Sequence, residues 1–145
     1  NNKKILNKLL QEEKNNGLYK KLTYKKFFKD LYNQKKNLKN FFTQYKNYKI
    51  YGYGAPAKAV TLINFFQLNH NNINLLVDDS KIKQKKYIPG TEIKIYDAKV
   101  LESSPPDIIM ILAWNVYEDI IKKIKKYKKI KFAIVPLPKF KVIKL

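Results

Sequence analysis

The chain has 145 residues, a formal net charge of +20, no cysteine and no arginine, so all of its basic residues are lysine. This length suggests one domain, and the lack of cysteine excludes disulfides, a cysteine-ligated zinc site and a thiol nucleophile within it. With a single histidine, His70, we expect no metal site. No apolar run reaches the roughly 18 residues of a membrane span, and the N-terminus lacks a signal-peptide pattern, so we expect a cytoplasmic protein without a membrane partner.

The lysine excess has two interpretations. A strongly basic surface is typical of proteins that bind nucleic acid or anionic membranes. Specific recognition of phosphates and bases, however, usually uses arginine, whose planar guanidinium makes two parallel hydrogen bonds. The composition therefore favours lysines spread over solvated faces, and a basic module that binds nucleic acid or another partner stays as the alternative function.

Residues 1–48 carry a helical pattern. Apolar residues at helical spacing predict a helix over 3–14, and Gly17 is placed to end it in the left-handed conformation. Thr23 is a candidate N-cap for a second helix over 24–48, whose apolar residues recur every three or four positions. This N-terminal helical arm either packs on the domain that follows or connects it to a preceding domain.

Residues 49–145 alternate between apolar runs and amphipathic stretches. The predicted strands are 49–53, 73–77, 93–96, 107–112 and 131–135, and the predicted helices are 56–68, a short one from Asp97 to Leu101, and one that Asn115 caps. Such alternation is typical of a parallel sheet with right-handed crossovers. The predicted fold class is therefore α/β, with a small Rossmann-like, mostly parallel sheet flanked by helices and preceded by the helical arm.

The stretch from Ile50 to Lys58 predicts a buried strand, a glycine turn and the start of a helix. Gly52 and Gly54 permit positive φ angles and a close approach of the backbone, and Pro56 suits the first turn of a helix. A glycine turn at a helix N-terminus is a common anion-binding geometry. The third glycine of the dinucleotide fingerprint is absent, so a nicotinamide site has little support, and the glycines also fit a simple tight turn.

Ligands of open parallel sheets bind beyond the carboxyl ends of the strands, where the strand order reverses. If the strands at 49–53 and 107–112 are neighbours, the loop from Gly52 to Ala55 meets Trp114 and Asn115 there, and Asp78 and Asp79 join them. Each residue also has a structural interpretation: Trp114 as a core side chain, Asn115 as a helix cap, Asp78 as part of a turn. No paired general acid and base and no activated nucleophile can be assembled, which predicts a binding domain without a catalytic residue of its own.

Longer motifs then resemble one family. They are Gly52-Tyr53-Gly54-Ala55-Pro56-Ala57-Lys58 with Thr61, Leu62 and Asn64, then Val77-Asp78, Lys83-Gln84, Pro89-Gly90-Thr91, Pro106-Asp107 to Asn115, and Val135-Pro136-Leu137-Pro138. In order and spacing, over nearly the whole chain, they resemble the C-terminal domain of the S-adenosylmethionine-dependent sugar C-methyltransferases, which act on nucleotide-linked deoxysugars.

The resemblance implies a division of labour between three domains. Members of that family have a zinc-binding N-terminal domain, a central methyltransferase domain that binds S-adenosylmethionine, and a C-terminal domain over residues corresponding to 49–145 that closes over the nucleotide-linked sugar. We therefore expect no cofactor in this chain and no catalysis by it in isolation, with zinc and S-adenosylmethionine in the missing domains. The substrate-binding residues implied are Gly52, Tyr53, Gly54, Ala55, Lys58, Thr61, Asn64, Asp78, Trp114 and Asn115.

The chain also departs from the family pattern. Ala59 and Val60 stand where the family usually has glycine and asparagine, and Glu92 stands in place of a histidine. A side chain at position 59 is expected to limit how closely a ligand can approach the backbone.

Overall fold

The computed structural model describes residues 2–145. The chain falls into two compact units, one that ends at Lys36 and one that extends from Asn37 to Leu145. The sequence-based boundary after residue 48 stays a prediction. Among the described residues, no helix is both long enough and apolar enough to cross a membrane.

The first unit contains helix α1 (Asn2–Asn15) and the beginning of helix α2 (Lys21–Gln44). Gly17, with φ of +70°, follows α1 in the left-handed conformation, as predicted. The prediction that Thr23 is an N-cap was wrong. Helix α2 begins two residues earlier, and the Thr23 hydroxyl donates a hydrogen bond back to the Gly17 carbonyl at 2.8 Å from within the first turn.

Apolar side chains of the first unit stay exposed. No residue of α1 is buried, and its four leucine and isoleucine residues at positions 5, 6, 9 and 10 are 46–57% exposed. In the part of α2 that belongs to this unit, Phe27 and Phe28 are 58% and 53% exposed, with their rings 5.7 Å apart. The amphipathic pattern of these helices is therefore present without the burial that such a pattern ordinarily accompanies.

The second unit is built on a six-stranded sheet with the order β3-β2-β1-β4-β5-β6. Its elements are β1 (Ile50–Tyr53), α3 (Ala57–Phe66), β2 (Leu75–Val77), β3 (Ile95–Tyr96), α4 (Val100–Ser103), β4 (Ile108–Ile111), a 3₁₀ turn (Trp114–Val116), α5 (Tyr117–Ile124), β5 (Phe132–Val135) and β6 (Lys141–Lys144). Strands β1 to β5 pair in parallel, and β6 pairs antiparallel with β5. The predicted α/β class with a mostly parallel sheet is confirmed, whereas β6 was predicted only as an apolar tail.

The register between β1 and β4 places the site. Gly52 lies opposite Met110 and Tyr53 lies opposite Ile111, so both strands end at the same edge of the sheet. The two strands are neighbours, as the sequence predicted, and the loops that follow them begin side by side.

Helices cover both faces of the sheet. On one face, Tyr53 and Ile111 pack into a buried cluster with Leu101 of α4 and Ile120 and Ile124 of α5. Leu62, Ile63 and Phe66 of α3 and Leu38 and Phe41 of α2 are also buried. The ring of Phe41 lies 5.8 Å from Phe140, and Tyr45 lies 6.0 Å from Phe132 of β5. Strands covered on both faces explain why their sequences are continuously apolar.

Two leucines of α2 give the first test of this burial. Leu38 is 1% exposed and Leu22 is 74% exposed. We expect Leu38→Ala to lower the free energy of unfolding by about 2–5 kcal/mol, because it leaves a cavity in the core. Leu22→Ala should change it by no more than about 0.5 kcal/mol. Urea unfolding of both variants measures the difference, and equal losses would contradict the packing described.

Candidate functional site

The candidate site lies beyond the carboxyl ends of β1 and β4, where the strand order reverses. Gly54 has φ of +88°, and a Cβ atom at this position would lie 2.8 Å from the Cβ atom of Ala113, which follows β4. A Cβ atom on Gly52 would lie 2.8 Å from the Leu76 side chain. Gly52 is thus required for packing within the sheet layer, and Gly54 for the approach of the two loops.

Asp78 fixes the loop after β1. It is 7% exposed, and its Oδ2 atom accepts a hydrogen bond from the backbone N–H of Ala55 at 2.6 Å. Its Oδ1 atom accepts one from the Ser80 N–H at 2.9 Å, and the Lys83 ammonium lies 3.3 Å from Oδ2. Both oxygens are therefore engaged within the protein, which supports a bracing role for Asp78. Its role in ligand binding stays a prediction.

Three of the predicted site residues meet at the mouth of the crevice. Lys58, in the first turn of α3, donates a hydrogen bond to Oδ1 of Asn115, which lies 57 positions away in the sequence. The Lys58 ammonium also lies 4.6 Å from the centroid of the Trp114 ring. We call these three residues the Lys58–Trp114–Asn115 cluster. It offers an ammonium, an aromatic ring and an amide within reach of one ligand.

The prediction that Asn115 caps a helix was wrong. Asn115 lies inside the 3₁₀ turn, α5 begins at Tyr117, and no side chain makes a capping hydrogen bond there. The side-chain oxygen of Asn115 is engaged by Lys58 instead. Trp114 is partly buried against the core cluster, which agrees with both interpretations of this residue.

A second group at the crevice joins Tyr53 to Asp79, which the sequence placed there, and to Lys123, which the sequence did not single out. The Tyr53 hydroxyl donates to Oδ1 of Asp79 at 3.1 Å, and the Lys123 ammonium of α5 donates to Oδ2 at 2.9 Å. The hydrogen bond from Lys123 holds the pKa of Asp79 below its ordinary value, aided by Tyr53 and opposed by partial burial. Burial, followed by the Asp79 charge, raises the pKa of Tyr53, which stays protonated as the donor.

This Tyr53–Asp79–Lys123 group separates two cavities and lines both. A cavity of about 330 Å³ lies between the two loops and the start of α5, and its other lining residues are Gly54, Asp78, Ala113, Val116, Asp119 and Ile120. The other, of about 320 Å³, lies between α4 and α5, and its other lining residues are Ala98, Leu101, Lys122, Ile124, Lys126 and Tyr127. Each volume is at the lower end of the range for small-molecule sites, about 300–1,000 Å³.

The structure does not bring the predicted residues Thr61 and Asn64 into the Lys58–Trp114–Asn115 cluster. The Asn64 amide donates a hydrogen bond to the carbonyl of Pro89 at 3.1 Å. A Cβ atom on Gly90 would lie 2.6 Å from Oδ1 of Asn64. Asn64 therefore holds the turn at Pro89 and Gly90, while Thr61 is exposed on α3. Ala59 is fully buried, so its methyl group faces the core and not the crevice.

The donor set of the site suits an uncharged or anionic organic ligand. Within residues 2–145, no group of three or more histidine, aspartate and glutamate side chains is arranged to hold a metal ion. The Lys58–Trp114–Asn115 cluster offers an ammonium, an aromatic ring and an amide, and the Asp79 carboxylate lines the two cavities. Such groups can hydrogen-bond to hydroxyls, pair with phosphate and stack on a planar or sugar ring.

An open, mostly parallel sheet with its loops converging where the strand order reverses defines a Rossmann-like α/β domain. A family model described as the C-methyltransferase C-terminal domain matches residues 1–138. Over 94 residues the chain is 36% identical to the C-methyltransferase NovU of Streptomyces niveus, a match that covers 63% of the chain and 22% of NovU. The chain belongs to the family of C-methyltransferase C-terminal domains, and it spans less than a quarter of the length of this curated relative.

The approach of the loops can be tested with Gly54→Ala. The substitution introduces a side chain at positive φ against Ala113, so we expect a loss of about 1–3 kcal/mol in stability. Because Trp114 is the single tryptophan of the chain, its fluorescence should change as the loops separate. Gly17→Ala is the matched control, since Gly17 also has positive φ but lies in the first unit. Unchanged stability and unchanged fluorescence in Gly54→Ala would contradict this account.

Lys123→Gln tests the effect of the Lys123 ammonium on the Asp79 carboxylate. We expect this substitution to raise the pKa of Asp79 towards its ordinary value of 3.8. A depressed carboxyl pKa stabilises the fold above the ordinary pKa, and this contribution is lost as the pH falls through the folded-state value. Lys122→Gln is the control, because Lys122 pairs with Asp119 and not with Asp79. An NMR titration of the carboxyl groups measures both variants, and an equal response would refute the assignment.

Proposed function

We propose that this chain is the part of a sugar C-methyltransferase that faces the nucleotide-linked sugar. Family membership supports the methyltransferase context. The observation that carries the finer proposal is the meeting of Lys58, Trp114 and Asn115 at the crevice of the sheet. Lys58 lies in the first turn of α3, whereas Trp114 and Asn115 lie in the 3₁₀ turn after β4. Their side chains meet although the two segments are distant in sequence, and they offer complementary groups to one ligand.

The chemistry of a nucleotide-linked sugar fits these groups. The ring of Trp114 offers a face for a sugar or a base, and the Lys58 ammonium can exchange its amide partner for a phosphate oxygen, because charge-assisted hydrogen bonds are the stronger ones. The Asn115 amide would then be free to hydrogen-bond to a hydroxyl. The Asp79 carboxylate can accept hydrogen bonds from further hydroxyls at the boundary between the two cavities.

Under this proposal the chain binds and orients, and the chemical step belongs to other domains. Methylation of a sugar carbon beside a keto group needs a base that removes a proton and a methyl donor. We assign the base, S-adenosylmethionine and the zinc ion to the zinc-binding and methyltransferase domains that act as its partners. S-adenosylmethionine supplies the methyl group when bound there, and the residues of this chain hold the nucleotide-linked sugar and exclude water around it.

Trp114 makes the binding proposal directly measurable, since its fluorescence reports from the site without a label. We expect saturable fluorescence changes with nucleoside diphosphates and nucleotide-linked sugars, together with NMR shifts of the Gly54 and Asn115 amides. Lys58→Gln should weaken binding roughly ten-fold or more, because a hydrogen bond to a charged group is lost. Lys81→Gln is the control, as it removes the same charge from an exposed loop.

Two outcomes would count against this function. Silence of Trp114, Gly54 and Asn115 at millimolar ligand would reject binding by the chain alone. Equal weakening by Lys58→Gln and Lys81→Gln, with an affinity for DNA or RNA that falls steeply as salt rises, would favour the alternative of a basic nucleic-acid-binding module.

A further inference from the structure

The first unit carries an apolar surface that nothing within the described unit covers. We define the apolar arm surface as seven residues, each at least 46% exposed: Ile5, Leu6, Leu9 and Leu10 on α1, and Tyr24, Phe27 and Phe28 on α2. Within each helix these positions share one face, because residues three or four apart lie above one another. Single apolar residues are normal on a protein surface, whereas apolar residues grouped on one face are typical of interaction sites.

The second half of α2 shows what the same pattern does when it is covered. The stripe that includes Tyr24, Phe27 and Phe28 is interrupted at Lys35 and resumes at Leu38 and Phe41, and both of these residues are at least 95% buried. Nothing in the composition distinguishes the two halves of the stripe, since lysine and asparagine surround both. The exposed half therefore has the same apolar pattern as the buried half, but its aromatic side chains are at least half exposed.

Charge argues against a second copy of this chain as that partner. Up to Lys36 the sequence contains eleven lysines and only three acidic residues, a net charge of +8. Two such surfaces would repel each other as they approach. A partner with an apolar centre and an acidic rim would be attracted instead.

The family match indicates which polypeptide that partner is. The matched region, residues 1–138, includes the whole first unit, so α1 and the start of α2 are part of a C-methyltransferase C-terminal domain. The relative NovU extends well beyond its matched 22%. In such a protein the remaining polypeptide is available at high local concentration to cover an apolar surface of its C-terminal domain.

We propose that the apolar arm surface docks on the catalytic part of a C-methyltransferase, through an apolar patch with an acidic rim. The choice of partner rests on the proposed function. The surface itself does not overlap the crevice residues, because all seven of its positions precede Lys36. Docking and sugar binding can therefore be measured separately.

The test adds this full chain to a NovU variant from which the region that matches this chain has been removed. Sedimentation velocity measures complex formation, and hydrogen exchange measures protection of the α1 amides. We expect a one-to-one complex with protected α1 amides. The double variant Phe27→Gln, Phe28→Gln should weaken the complex at least roughly ten-fold with unchanged thermal stability. Leu22→Gln is the control, since Leu22 is exposed on α2 but lies outside the apolar arm surface.

Three results would overturn the docking proposal. They are the absence of a complex at high micromolar concentration, self-association of the chain that the double variant abolishes, and binding to phosphatidylserine vesicles that depends on Phe27 and Phe28. Trp114 fluorescence in the same samples keeps the two proposals apart. If the chain binds ligand but forms no complex, the docking proposal fails and the sugar-facing function stands. If it forms the complex but binds no ligand, the docking proposal stands and the sugar-facing function is rejected.

Discussion

The approach of Gly54 to Ala113 is the contact on which the rest of the site depends. A Cβ atom on Gly54 would sit 2.8 Å from the Ala113 side chain, so the two loops can lie this close only because residue 54 has no side chain. Asp78 then holds the first loop through the N–H of Ala55. With the loops fixed, α3 starts at a point from which Lys58 reaches Asn115. The polar groups of the crevice are thus consequences of one tight backbone contact.

The sheet could be predicted because its signal is local and redundant. Strand β4 is apolar at every position, which occurs when helices cover both faces, and such strands are typical of parallel sheets. The caps could not be predicted in this way. Thr23 and Asn115 are both good capping residues, but one cap contributes only about 1 kcal/mol, and each of these side chains finds another partner. For Asn115 that partner is Lys58, 57 positions earlier, which no local pattern reveals.

The candidate site was predictable to the extent that topology determined it. Once β1 and β4 are neighbours, Trp114 must lie near the glycine turn that ends β1. Lys123 is different, because nothing in the sequence distinguishes it from the other lysines of a chain with 31 basic residues. Only the fold, by placing α5 beside the end of β2, brings it to Asp79. Conversely, Asn64 belongs to the family motif, yet its hydrogen bond to Pro89 gives it a structural role here.

Helix α2 shows the limit of sequence patterns most clearly. One apolar stripe, interrupted at Lys35, is buried at Leu38 and Phe41 and exposed at Phe27 and Phe28. The spacing of apolar residues therefore predicts that one face of a helix becomes buried, but it does not identify the element that buries it. In the second unit the covering element is the sheet with its flanking residues, including Phe132 and Phe140. An amphipathic helix owes most of its stability to such tertiary packing. A complementary apolar surface would therefore stabilise the exposed half of α2. The chain thus combines an ammonium, an amide and an aromatic ring beyond the carboxyl ends of β1 and β4 with an exposed apolar helix face in its first unit.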